Sequence, residues 1–249
     1  FVGIIDDVLA LTPFRKLIGQ IIAILIVIYL GEIQIDSMHG VLGVYKLPDW
    51  LATFFTVFVV IVITNGFNLI DGVDGLAAGI GVISSFGFGL IAYFMNQMEF
   101  AIIAFSLFGA LLAFLKFNFN PAQIFMGDTG SLLVGMVLSV LAINLIKSGL
   151  VTESIHLPHK GPLLAIVLLA IPLFDSLRVF VVRTSKGQGP LLPARDHIHH
   201  ALLDLGFGHR KTALALYILS LSLIVFDFFT ILLYFFLLLT IVIPFSYEY

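Results

Sequence analysis

Four short clusters gather the acids, amides and imidazoles of this 249-residue chain. They are Asp6-Asp7; Asn65, Asn68, Asp71 and Asp74, with Gly66, Gly72 and Gly75 between them; Gly127-Asp128-Thr129-Gly130-Ser131; and Arg195-Asp196-His197-Ile198-His199-His200. Asn65, Asn68, Asp71 and Asp74 recur every third residue, which makes them neighbours on one face of a helical turn. The interleaved glycines break the helix and let backbone approach a ligand closely. Carboxylates flanked by Gly and Asn suit a hard cation with oxygen ligands, Mg²⁺ or Mn²⁺, and phosphate oxygens beside it. The bland alternative is a polar cap, with Asp71 opening the next helix. Asp128 has the same two readings: an N-cap, or a metal and phosphate site at a helix N-terminus. Asp6-Asp7 alone reads equally well as interfacial. The imidazoles of His197, His199 and His200 suit either zinc or, beside Arg195, phosphate groups; with no Cys in the chain, a zinc site has no thiolate to draw on. Acids repel phosphates unless a divalent cation lies between them. Taken together, the clusters imply a divalent cation, a phosphate-bearing substrate, and phosphoryl transfer by positioning and electrostatics.

The elements that must position these clusters are membrane helices. The chain is 60% hydrophobic and 11% charged, with 25 Phe against one Trp, and its mean hydropathy is +1.14. A soluble domain carries roughly 25% charged residues and cannot cover this much apolar surface. Composition thus excludes a soluble enzyme, a nucleic-acid-binding domain and a disordered chain. The net charge of −3 gives no basic excess for nucleic acid. Runs long enough to span a bilayer, about 20 residues each, predict an all-α polytopic bundle of about eight spans. These are 17–31, 50–65, 77–95, 100–116, 130–147, 162–182, 212–227 and 229–246, forming a single transmembrane domain over 1–249. The runs are continuous, without the period-two alternation of a β-barrel. Phe1–Ile5 read as the tail of an apolar segment, so further spans are expected upstream.

Placing Arg15 and Lys16 in the cytoplasm puts nine of the twelve Lys and Arg residues inside: these two, Lys116, Arg178, Arg183, Lys186, Arg195, Arg210 and Lys211. Lys46, Lys147 and Lys160 fall outside, and this bias favours the orientation. All four polar clusters then share the cytoplasmic face. His39, His156 and His159 lie outside and read as surface residues. Asp175, late in its span, is a functional suspect by its depth or a partner of Arg178. Asp227 reads as structural. A transporter is the competing class, and it would place its acids near the bilayer midplane on broken helices. A structural scaffold would need no such polar density.

In these residues the chain resembles the polyprenyl-phosphate N-acetylhexosamine-1-phosphate transferases, glycosyltransferase family 4. The matching pieces run in order from Gly3 to about Lys211: Gly3 through Asp7 followed by Lys16 and Gln20, Asn65 through Gly79, Asn118 through Ala122, Phe125 through Ser131, Pro172 through Arg183, and His197-Ile198-His199-His200. The resemblance implies a bundle of ten or eleven spans in the full protein and transfer of a sugar-1-phosphate from a UDP-sugar to undecaprenyl phosphate, releasing UMP. It implies that Asp128 is the principal Mg²⁺ ligand, with Asn68, Asp71 and Asp74 around the metal and nucleotide. Asp6 and Asp7 would engage the lipid phosphate, with Lys16 and Asn65 near the substrates. Arg195, His197, His199 and His200 would hold the sugar-nucleotide phosphates. The His-X-His-His form resembles the branch that uses UDP-GlcNAc, for O-antigen, enterobacterial common antigen or teichoic acid. The branch that transfers phospho-MurNAc-pentapeptide carries three adjacent histidines instead. Ala194 departs from the GlcNAc branch, which often has Asp there. Relatives also suggest a homodimer, and a multi-pass protein of the bacterial inner membrane.

Overall fold

A computed structural model describes residues 1–40, 43–151, 156–157, 160–185, 187 and 197–242. The helices are α1 (Val2–Leu9), α2 (Pro13–Gly31), α3 (Asp49–Ile70), α4 (Leu76–Phe94), α5 (Met98–Asn118), α6 (Gly127–Ser148), α7 (Lys160–Leu168), α8 (Ala170–Ser185), α9 (Ile198–Asp204) and α10 (His209–Val242). Between α6 and α7 a two-residue antiparallel ladder pairs β1 (Leu150–Val151) with β2 (His156–Leu157). The protein is a polytopic helical bundle. Among the described residues six helices are long and apolar enough to cross a membrane, and the bent pair α7–α8 makes a seventh if it counts as one span. Helices of 19–22 residues reach about 29–33 Å, matching a hydrocarbon core of about 30 Å.

The expected runs within 17–147 are all helices, extended by a few residues at several ends. Two expectations change. The run 162–182 is not one straight span: α7 and α8 meet at 81°. Pro172 lacks an N–H, and its ring clashes with the carbonyl four residues back, that of Leu168. That carbonyl accepts instead from the hydroxyl of Ser84 on α4 at 2.6 Å, so the freed acceptor is satisfied inside the bundle. The expected hairpin between 212–227 and 229–246 is also absent. α10 is one helix of 34 residues, with neither Gly nor Pro between His209 and Val242. Asp227 is a side-chain polarity within a helix, and it does not break one.

The core sits around α4 and α6, the two most buried spans, while α2 and α5 are the most exposed. Lipid tails are as apolar as Leu, so membrane helices associate through close packing and interhelical hydrogen bonds. The sequence of α4 provides for this: Ala77, Ala78, Gly79, Gly81, Ser84, Ser85 and Gly89 are all buried, and α5 packs along it through Leu111 and Phe105. At the opposite end from the acids, His39 is half-buried, and its Nε2 lies 2.6 Å from the Ile146 carbonyl of α6. It is a docking residue for its loop, which replaces the surface reading. His159 lies outside the described residues.

Candidate active site

The ends of α1, α2, α3 and α6 meet at one point. α2 starts at Pro13, whose fixed φ suits a first helical position. This places Lys16 in the first turn of α2. Its ammonium lies 3.1 Å from Asp6 Oδ2, donates to Asp128 Oδ2 and reaches Asn68 Oδ1 at 3.4 Å. The Lys16 and Asp6 side chains are only 16% and 13% exposed, so water screens the pair weakly. Asn68 donates from Nδ2 to Asp128 Oδ1 at 2.6 Å and to Ser131 Oγ at 2.9 Å. Ser131 donates in turn to the Gly127 carbonyl at 2.8 Å. One turn earlier, buried Gln20 of α2 donates to Asn65 Oδ1 at 3.0 Å. Asn65 and Asn68 thus use one face of the last turn of α3 to join α2 and α6.

Asp7 has a separate task. Its carboxylate accepts from the Asp128 N–H at 2.9 Å, the Thr129 N–H at 3.0 Å and the Thr129 hydroxyl at 2.5 Å. Those are orphan donors of the first turn of α6, whose own N-cap residue, Met126, makes no side-chain cap. The cap reading considered for Asp128 therefore belongs to Asp7, supplied from another helix. Thr129, first by its hydroxyl and then by its N–H, holds Asp7 below the usual carboxylate range. The approach depends on Gly3, where a Cβ would lie 2.5 Å from the Thr129 Cα. Asp6 is also held low, first by its hydrogen bond with Asp128. Burial opposes this; Lys16 and the Leu11 N–H, which donates to Oδ1 at 2.7 Å, reinforce it.

The helical face ends at Ile70. Asp71 is the C-cap of α3, and the chain turns through Gly75, whose φ of +78° suits glycine. Burial pushes the Asp71 carboxyl up to about 7; the Gly127 N–H opposes this, while the charges of Asp128 and Asp7 add to it. Asp74 enters another network. It accepts from Asn120 Nδ2 at 2.8 Å and the Ala122 N–H at 3.3 Å, and lies 3.3 Å from His209 Nδ1 at the start of α10. Burial raises Asp74, but Asn120, Ala122 and His209 outweigh it and hold the carboxyl low.

The imidazoles close the other side. His197 and His199 stack with centroids 5.4 Å apart and planes at 7°, and His199 lies 4.3 Å from the His200 ring. His199 is buried against the α3–α4 turn, where a Cβ at Gly72 would sit 3.0 Å from its Nε2. Burial first, then His200, pushes His199 down to about 4. Asp175 of α8 binds His197 Nδ1 at 2.8 Å and accepts the Ile198 N–H at 2.7 Å. Its described partner is the histidine segment, which joins this acid to the site. Arg195 and Asp196 lie outside the described residues.

Four partners were not foreseen from sequence: Thr129 at Asp7, Asn120 and His209 at Asp74, and Ser131 at Asn68. Thr129 and Ser131 stood within the Gly127–Ser131 cluster and Asn120 within the Asn118–Ala122 motif; His209 carried no spacing signal. For a metal, the donor chemistry decides. Among the described residues no three His, Asp or Glu side chains are grouped as a metal site. The oxygens that converge come from Asp6, Asn68 and Asp128 around the Lys16 ammonium, while Asp71, also expected as a ligand, faces the Gly127 N–H and feels the charge of Asp128. These are hard donors already holding a cation, so by type they fit Mg²⁺.

Comparison with known proteins agrees with this architecture. Residues 1–146 match the model of glycosyl transferase family 4. The chain is 34% identical over 234 residues to a decaprenyl-phosphate N-acetylglucosaminephosphotransferase of Mycolicibacterium smegmatis, covering 87% of this chain and 57% of that protein. The corresponding protein of Mycobacterium tuberculosis H37Rv is 32% identical over 234 residues, with 87% and 57% covered. An undecaprenyl-phosphate alpha-N-acetylglucosaminyl 1-phosphate transferase of Escherichia coli K12 is 31% identical over 217 residues, with 85% and 57% covered. The chain spans just under three fifths of the length of these relatives. With the family model matched from α1 through most of α6, where the acids and Lys16 lie, the chain belongs to glycosyl transferase family 4.

Proposed function

We propose that the full protein transfers GlcNAc-1-phosphate from UDP-GlcNAc to undecaprenyl phosphate at the cytoplasmic face of the bacterial inner membrane, releasing UMP and starting a cell-surface polysaccharide. The observation that carries this reading is the convergence of Asp6, Lys16, Asn68 and Asp128 at the ends of four helices, with the histidine segment facing the same turn. The relatives' names supply the substrate class. An oxygen of the lipid phosphate attacks the sugar-bearing phosphorus of the donor. The bond from that phosphorus to the UMP oxygen breaks, and UMP leaves with the electron pair.

Asp128, Asn68 and Asp71 would hold Mg²⁺ or Mn²⁺, which neutralises pyrophosphate charge when bound. Lys16 holds a phosphate oxygen as a point charge. Asp6 and Asp7 set the lipid-phosphate end of the site. Asn65 keeps the last turn of α3 in register through Gln20, and Asp74 fixes the turn at 120–122. His197, His199 and His200, with Arg195, hold the sugar nucleotide.

The depth of the acids speaks against transport. Asp71 caps a 22-residue helix long enough to span, which supports a site at a membrane face. Membranes containing the full-length protein are assayed with radiolabelled UDP-GlcNAc, with and without EDTA. A lipid-extractable product that EDTA abolishes is expected. No metal-dependent lipid product from any UDP-N-acetylhexosamine would overturn the reading.

A further inference from the structure

The geometry points to Asp175 as the positioning residue of the histidine segment: it fixes which nitrogen of His197 carries a proton and which is free to accept from a proton-bearing group, a hydroxyl or an amide N–H, of the sugar nucleotide. This deepens the function proposed above and rests on it for the identity of the donor. Asp175 is 1% exposed and His197 5% exposed, so neither group can exchange its partner for water. One carboxylate oxygen lies 2.8 Å from His197 Nδ1, and the other accepts the Ile198 N–H at 2.7 Å. An ionised carboxylate only accepts. In this arrangement His197 Nδ1 donates to Asp175, and Nε2 is the nitrogen left to accept from a ligand. The second bond fixes the backbone at the start of α9, so the ring and its anchor are set by one side chain. The His199 ring lies nearly parallel to that of His197, against Gly72 beside Asp71.

The placement of Asp175 follows from the bend. Pro172 ends the regular path of α7, and Asp175 lies one turn further along, in α8. There it meets the segment that begins at His197. A straight helix through 160–185 would lack the 81° change of direction that sets α8 apart from α7. A carboxylate that orients a functional imidazole is worth roughly 10–100-fold in affinity or activity in other sites.

Asp175→Asn separates this role from simple packing. Asn keeps the shape, and its Oδ1 can still accept the Ile198 N–H. Its NH₂ then faces His197 Nδ1, which must become an acceptor, and the proton moves to Nε2. The full-length protein in micelles is labelled with ¹⁵N-histidine, and the His197 resonances are assigned by their loss in His197→Gln. In the wild type Nδ1 carries a proton; in Asp175→Asn it does not. UDP-GlcNAc transfer is measured alongside. Asp175→Asn raises KM for the sugar nucleotide or lowers kcat/KM by about 10–100-fold. In the His197→Gln background the same substitution has no further effect. Wild-type His197 unprotonated at Nδ1, or resonances unchanged by Asp175→Asn, would overturn the assignment. An equal loss in both backgrounds would reduce Asp175 to a packing residue. Since the nitrogen spectra need no turnover, they judge this inference even if UDP-GlcNAc is not the donor.

Discussion

Replacing Asp7 by Ala removes three acceptor contacts from the first turn of α6, those to the Asp128 N–H, the Thr129 N–H and the Thr129 hydroxyl. Loss of an N-cap acceptor costs about 0.5–2 kcal/mol. Asp7 is exposed, so water replaces part of what is lost, and a value near 1 kcal/mol is expected. For a protein of this size that lowers Tm by about 2–4 °C, a shift that scanning fluorimetry in micelles resolves. The loss should depend on pH. Thr129 and the Asp128 N–H hold the Asp7 carboxyl below its ordinary value. The stabilisation is therefore fully present above the unfolded pKa of about 3.9 and is lost as pH falls through the lower folded value. The Tm gap between wild type and Asp7→Ala is full at neutral pH and closes only in strong acid. Thr129→Val removes the hydroxyl bond alone and should cost less. Combined with Asp7→Ala it should add almost nothing, because both act through one contact. A gap that is absent at neutral pH, or additive losses in the double variant, would refute the trans-capping argument.

Two further outcomes follow from the packing and the electrostatics. Gly3→Val drives a branched side chain into the Thr129 backbone, where even a Cβ would lie at 2.5 Å. Overpacking of this kind costs about 1–3 kcal/mol and should lower transfer at least as much as Asp7→Ala does, read as kcat/KM and Tm together. His199 is pushed down to about 4 by burial, so its contribution to stability is complete above an unfolded pKa near 6.5 and is lost as pH falls toward 4. His199→Gln should flatten the fall of Tm between pH 6.5 and 4, and an unchanged slope would show that another group titrates there.

Hydrophobic runs gave the spans from α2 to α6 because a membrane helix is a local property of about 20 residues. The bend at Pro172 had its cause in the sequence, but the group that satisfies the freed Leu168 carbonyl, Ser84 of α4, lies 84 residues away in the chain. The length of α10 was misread because Asp227 looked like a boundary, although one acid does not end a helix. In the site, the clusters of acids were legible as residue types. Their division of labour was not. Asp6 and Asp7 are adjacent in sequence, yet one meets Lys16 while the other caps α6. Asp71 and Asp74 are three apart, yet one faces Gly127 and the other binds Asn120 and His209. Asp175 lay nearest Arg178 in sequence, and the bundle gives it His197. These assignments are made by helix packing across 10 to 135 residues of chain.

In the proposed function the Lys16–Asp6–Asn68–Asp128 junction carries phosphoryl transfer. The most direct measurement is UMP release together with radiolabelled lipid formation by the purified full-length protein, given UDP-GlcNAc and undecaprenyl phosphate, for wild type and Asp128→Asn. Both products are expected in equal amounts from the wild type in the presence of Mg²⁺. From a correctly inserted Asp128→Asn neither is expected. Near-normal turnover by Asp128→Asn would contradict this role.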